Sequence, residues 1–385
     1  MLILFNILGD MTNVAAVMGI VYSLIGIVAV WRFARSRPAL PKQFPAVTIL
    51  KPVCGDDPGL YENLVSFCRQ DYGGPVQVLI GAHREADPAV AIARRVIADC
   101  PQADVALVID GTLGGTNFKI CNITNMMRSA KHDVLIIADS DMRVEPHYLA
   151  TIVAELSQPG VGMVTCLYEG EPAGGITSAL GSAAINYTFL PSVLVGRQIG
   201  TEAGCFGATM AIRRATLDKV GGLPALINQL ADDYVLGALV RAAGLKVLIS
   251  RYVIKNVVLE PDLRTLVRHE LRWQRTIRSI TPLGFAASII IYPVGLSLLA
   301  LPLTGFTLIA WLIFAASLAV RLGLVYTCRA ALGLTPFAAV LVPVRDILSF
   351  AIFIASFLGQ RVTWRNSSFQ VGNGGELTLE GDPLV

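Results

Sequence analysis

The chain has 385 residues, of which 54% are hydrophobic and 15% charged, with a formal net charge of +3. That is too apolar for an ordinary soluble enzyme, and the charge is too small to indicate nucleic acid as a partner. The seven cysteines stand singly with no CxxC pair, which suits a reducing compartment and offers no zinc site.

The apolar residues lie in blocks. Residues 14–31 carry no charge over a length close to the roughly 20 residues that a membrane helix needs. Asp10 precedes this run and Arg32, Arg35 and Arg37 follow it, the reverse of signal-peptide flanks, so residues 1–40 read as an uncleaved anchor. By the positive-inside rule the arginines put the next segment on the cytoplasmic side.

From 41 to 280 the composition is mixed and long enough for one full core, with no repeat or low-complexity linker. Four β-rich runs, 46–51, 76–81, 105–109 and 134–138, are each followed by a stretch with helical spacing. This rhythm predicts an α/β domain with a mainly parallel sheet, helices on both faces and ligands at the carboxyl ends of the strands. Neither GxGxxG nor GxxxxGK[ST] follows the first strand, which disfavours a dinucleotide enzyme or an ATPase.

Acidic residues fall at those strand ends. After the fourth run comes Asp139-Ser140-Asp141, two carboxylates able to serve a nucleotide ribose and a divalent cation together with substrate phosphates. Asp and Ser are also common turn residues, so the triplet gains weight only from its place after a buried strand. After the second run Asp87 precedes Pro88; a helix cap accounts for it, and a hydrogen bond to a base such as uracil is compatible with that role. Asp232 and Asp233 open a helical run, where capping is again the simple explanation, although two adjacent carboxylates exceed what a cap requires.

Residues 263–279 form a basic amphipathic pattern. Arg264, Arg268, Arg272 and Arg275 recur at helical steps, with Leu263, Leu266, Val267, Trp273 and Ile277 on another side. An interfacial helix drawn to anionic lipid explains the stripe, while Arg272 beside Trp273 also suits a pyrophosphate and a sugar or lipid. The segment leads into apolar runs at 284–303, 306–326 and 336–358, membrane helices within residues 281–360, followed by a tail at 361–385. Three spans put the tail outside, whereas Arg361 and Arg365 favour the inside, so one run is expected to be re-entrant or interfacial. Arg321, Arg345 and Asp346 fall inside these runs, where each must snorkel, find a partner or serve lipid binding.

Taken together, Lys51-Pro52, Asp87, the DSD triplet, Asp232-Asp233-Tyr234 and Arg272-Trp273 resemble family 2-like glycosyltransferases of the GT-A fold. The resemblance is strongest to the ceramide glucosyltransferase family and runs through LKPVCGDDPGLYENL, NFKICN, GGL and TWRNSSF. HELRWQRTIRS and CLYEG are most similar to a bacterial branch of hopanoid-modifying N-acetylglucosaminyltransferases. The resemblance implies an integral protein of the bacterial inner membrane that moves a sugar from a UDP-sugar to a lipid hydroxyl, with inversion and with Mg²⁺ or Mn²⁺. It puts Asp87 at the uracil, Asp139, Lys51, Pro52 and Lys119 at the donor, and Asp141 with Asp139 at the metal. Asp233 becomes the general base with Asp232 beside it, and Arg272 and Trp273 complete the catalytic set. His269 departs from the (Q/R)xxRW pattern of the family. A processive polysaccharide synthase shares these elements but needs a longer membrane channel, and a transporter leaves the α/β domain unexplained.

Overall fold

The computed structural model describes residues 2–36, 43–200, 204–359, 361–364, 367–371 and 377–380. The anchor is longer than its uncharged run, since α1 spans Leu2–Ala34. The four sequence-predicted strands are β1 (Val47–Pro52), β2 (Val76–Ala82), β3 (Asp104–Ile109) and β4 (Val134–Ile137), separated by α2 (Leu60–Cys68), α3 (Pro88–Asp99) and α4 (Phe118–Met126). Then come β5 (Met142–Arg143), α5 (Tyr148–Leu156), β6 (Val161–Pro172), α6 (Gly175–Ala184), α7 (Leu190–Gln198), β7 (Met210–Arg213), α8 (Arg214–Lys219), α9 (Asp232–Ala242), β8 (Lys246–Val258) and α10 (Leu263–Ile280).

One sheet holds eight strands in the order β3-β2-β1-β4-β7-β6-β8-β5. The β3-β2-β1-β4 half is parallel, as expected from its apolar runs. Beyond β4 the expectation of a mainly parallel sheet gives way to a mixed one, because β7 lies antiparallel to both β4 and β6 and β5 lies antiparallel to β8. Strands β1, β2 and β4 are buried on both faces, whereas β3, at the sheet edge, is only partly covered: Ile49 of β1 enters a core with Leu64, Val90 and Tyr148, and the adjacent Leu50 enters another with Ile120, Ile123 and Leu236. The carboxyl ends of β1, β2 and β4 therefore open on one edge of the molecule.

After α10 come α11 (Pro282–Ala287), α12 (Pro293–Leu303), α13 (Leu308–Leu332) and α14 (Val342–Ser356). Among the described residues four helices are long and apolar enough to cross a membrane, Phe5–Ala34, Gly175–Gln198, Leu308–Leu332 and Ala339–Ser356; Pro282–Ile291 and Pro293–Leu303 make a fifth candidate bent by 75°. Pro293 explains the bend, since it lacks a donor and disfavours the helical conformation at Tyr292. Gly175–Gln198 was not foreseen, and 61% of its window is buried against 28–39% for the three others, so its apolarity serves protein packing.

Glycines of α1 mark how the bundle is laid out. A Cβ at Gly19 would strike Ile290 O and Pro293, and one at Gly9 would lie 2.6 Å from Thr304 Cγ2, so α12 runs along α1 toward its N-terminus. Gly26 faces Leu324, so α13 returns toward the α/β domain. The charges inside the apolar runs all find partners instead of snorkelling. Arg321 of α13 makes a bidentate pair with Asp346 of α14, 2.7 Å on each arm, and donates to Tyr187 O at 3.0 Å, within the π-turn at Ile185–Phe189 between α6 and α7. Arg345 pairs with Glu270 of α10 at 2.6 Å. Strands β9 (Arg361–Trp364), β10 (Ser367–Val371) and β11 (Leu377–Glu380) form a small antiparallel sheet. Arg37 and Arg365, used for the expected orientation, lie outside the described residues.

Candidate active site

The Asp139-Ser140-Asp141 triplet follows β4 and turns over the end of β1. Lys51, the last but one residue of β1, is fully buried; its ammonium donates to Asp139 O and sits 4.0 Å from the centre of the Phe67 ring. Burial pulls that ammonium down to about 7, against the opposing charges of Asp141 and Asp139. Lys51 and the equally buried Pro52 therefore support the triplet from beneath, in place of the direct donor contact expected of them. Ser140 donates to Asp57 at 2.9 Å, and Asn63 donates to Ser140 O at 3.2 Å.

Lys119, in the first turn of α4, joins the triplet to α9. Its Nζ lies 2.7 Å from Asp139 Oδ1 and 3.2 Å from Asp232 Oδ2. Burial works against this charge, but Asp139, Asp232 and Asp233 outweigh it and hold the ammonium protonated. The N-cap of α9 is Ala231, with no side-chain cap bond, so neither aspartate serves the capping role that explained them in sequence. Asp232 instead accepts from Asn117 at 3.4 Å. Asp233 accepts the main-chain N–H of Gly207 at 2.8 Å and of Tyr234 at 2.7 Å.

Gly207 marks the point where the groups converge. A Cβ there would lie 3.0 Å from Asp139 Oδ2, 3.1 Å from Lys119 Nζ and 3.5 Å from Asp233 Oδ2. Burial, then the neighbouring charge of Asp232, pushes Asp233 up to about 6, with Lys119 pulling the other way. Asp141 is likewise held up at about 6, by burial and then by Asp139, while Asn256 donates to it at 2.7 Å. Asp139 and Asp141, two partly buried carboxylates that repel each other, suit a hard divalent cation that shares its remaining ligand positions with phosphate oxygens. Among the described residues no cluster of three His, Cys, Asp or Glu side chains could hold an ion by itself.

Arg272 reaches the same place from α10. It is largely buried, which lowers it, and Asp141, Tyr168 and Asp139 all act on its charge. The Tyr168 hydroxyl is held up by burial and by Asp233, Asp141 and Asp139, and its ring stacks on Phe189 at 4.8 Å. Trp273 packs on His269 at 4.4 Å, and His269 Nδ1 lies 2.8 Å from the buried Glu260. Asp87 caps α3, accepting from Ala89 at 2.9 Å, and also accepts from Gly55 at 2.8 Å, so it ties the β2 end to the β1 loop. Gly207, Asn256, Asp57 and Tyr168 were not assigned roles from sequence. Gly207 carries no periodic signal, and Asn256 sits inside the long strand β8.

The profile of Glycosyl transferase family 21 matches residues 11–377. The chain belongs to this family. It is 24% identical to ceramide glucosyltransferase 1 of Caenorhabditis elegans over 86% of this chain and 73% of that protein. It is 32% identical to the ceramide glucosyltransferase of Gibberella zeae over 36% of this chain and 29% of that one. Mannosyltransferase PcManGT from Pyrobaculum calidifontis, solved with GDP-Man and Mn²⁺, superimposes with a TM-score of 0.53 at 17% identity, covering 91% of this chain and 98% of that one. The α/β domain is thus a GT-A glycosyltransferase fold, joined to apolar helices at the N-terminus and after α10.

Proposed function

We propose that this glycosyltransferase moves one sugar from a UDP-sugar to a hydroxyl of a membrane lipid, of the ceramide or hopanoid type, with inversion at the anomeric carbon. The observation that carries the reading is the convergence of Asp139, Lys119 and Asp233 on Gly207, in an α/β domain that runs through Arg272 into the apolar bundle. Asp233 is the general base. A lipid hydroxyl is a weak acid, so a carboxylate must take its proton as its oxygen bonds to the anomeric carbon and the bond to the diphosphate breaks. Held at about 6, Asp233 is ionised at neutral pH and still basic enough to accept it. A single displacement turns an α-linked donor into a β-linked product.

Asp139 and Asp87 hold the nucleoside, and Lys119 fixes Asp139 and Asp232. Asp141 with Asp139 would hold Mg²⁺ or Mn²⁺, which when bound would supply positive charge to the leaving diphosphate. Arg272 adds its own charge there, and the aromatic face of Trp273 receives sugar or lipid. Helices α1 and α13 cross the bacterial inner membrane, the bent segment of α11 and α12 enters it as a broken span, and α14, although long and apolar enough to cross, lies with α10 on the cytoplasmic side. Two bonds support that layout: Arg275 donates to Leu358 O and Arg278 to Gly359 O, each at 2.7 Å, which keeps the end of α14 beside the α/β domain. The same layout agrees with the expectation from Arg361 that the tail stays inside.

The test is to give the purified protein labelled UDP-glucose and UDP-N-acetylglucosamine with ceramide or a hopanoid polyol in vesicles, and to identify the product by mass spectrometry. A lipid bearing one β-linked sugar is expected. Long polymer, or no transfer from any UDP-sugar, contradicts the reading.

A further inference from the structure

We propose that Glu270 and Arg345 are positioning residues for transfer: their buried ion pair ties α10, and with it Arg272, to α14. Glu270 Oε2 accepts from Arg345 Nη2 at 2.6 Å, and both side chains are at least nine-tenths buried. Arg345 is held in turn by Ser349, whose hydroxyl accepts from Nη2 at 2.8 Å and from Nε at 3.1 Å. The inference rests on the reading of Arg272 given above.

Helix geometry gives the pair its consequence. Two residues along an α-helix are about 200° apart around the axis, so Glu270 faces α14 from the side of α10 opposite Arg272. Leu266 and Glu270 are the buried residues of α10. A helix with so few buried attachments takes its rotation and height from them, and Glu270 is the one nearer Arg272. Because a buried ion pair adds little stability over well-packed apolar residues, its value lies in fixing register. The contacts of Arg275 and Arg278 with the end of α14 fix the far end of the same helix. Loss of the Glu270 anchor frees α10 to rotate, and the Arg272 guanidinium then drifts from Asp139 and Asp141.

The test is a double-mutant cycle on the full-length protein in vesicles, read by turnover. Glu270→Gln and Arg345→Met should each lower kcat by about tenfold or more, with UDP-sugar KM changed far less. In an Arg272→Gln background Glu270→Gln should cause no further loss, because the group it positions is gone. Losses that multiply in that background would overturn the proposal and leave the pair a purely stabilising contact. Exchange of charges, Glu270→Arg with Arg345→Glu, should recover turnover relative to either single change; no recovery in a folded exchange variant also overturns it. Should the single variants unfold, Glu270→Asp keeps the charge and withdraws it by one methylene, so unchanged turnover there counts against the proposal. A wild-type protein that transfers no sugar to lipid would instead defeat the underlying reading.

Discussion

The main-chain N–H of Gly207 donates to Asp233 at 2.8 Å, at a position where a side chain would meet both Asp139 and Asp233. A methyl group there would lie 3.0 Å from Asp139 Oδ2 and 3.1 Å from Lys119 Nζ. Gly207→Ala should therefore displace the reacting groups by tenths of an ångström without unfolding the domain. Turnover should fall by about 10- to 100-fold, with the melting temperature close to wild type. A large loss of stability, or unaltered turnover, would show that the space above Gly207 is not part of the site.

Lys119 pulls Asp233 down while burial and Asp232 push it up. The active form of a general base is ionised, so kcat/KM should fall as pH drops through about 6 in the wild type. Lys119→Met removes the opposing charge and raises Asp233 further, so the acid limb should move to higher pH. The pH–rate profiles of the two proteins give the comparison, and an unmoved limb would assign it to another group.

Asp141 should report on the metal. Transfer by the wild type should stop in excess chelator and return with Mg²⁺ or Mn²⁺, and Asp141→Ala should weaken metal-dependent UDP-sugar binding by about 10- to 100-fold. Isothermal titration with and without the ion distinguishes this from a general binding defect. Full activity in chelator would remove the metal role from Asp141.

In the apolar bundle, Arg321→Met leaves the Asp346 charge buried without its partner. Detergent-solubilised protein should lose roughly 3–5 kcal/mol, and adding Asp346→Leu should return most of it. Thermal unfolding of the single and double variants measures both, and equal stability of single variant and wild type would contradict the buried pairing.

The sequence reveals the half of the fold whose signals are local. Strands β1, β2 and β4 are apolar runs because both their faces are covered, and the DSD triplet is readable because it follows such a run. Proximity across sequence is not readable in that way. Lys119 reaches Asp139 and Asp232 only after the sheet brings β4, α4 and α9 together, and Asn256 meets Asp141 across the antiparallel pairing of β5 and β8. The resemblance alone places Lys51 at the donor, and its enclosure by Asp139 O and the Phe67 ring is a tertiary feature that no local pattern shows. Asp87 kept its cap and gained a second bond to Gly55, a pairing with no periodic trace. The Arg321–Asp346 pair joins residues 25 apart in sequence, so hydropathy shows each charge as an anomaly without its partner.

The most direct test of the central claim compares wild type and Asp233→Asn in vesicles that contain the lipid acceptor. UDP binding and glycolipid formation from a labelled UDP-sugar are measured on the same preparations. The wild type should bind UDP and form a lipid bearing one β-linked sugar, and the variant should bind UDP within about twofold while its transfer falls by 10²-fold or more. Near-normal glycolipid formation by Asp233→Asn would contradict the account, because the proton would then be leaving by way of another group.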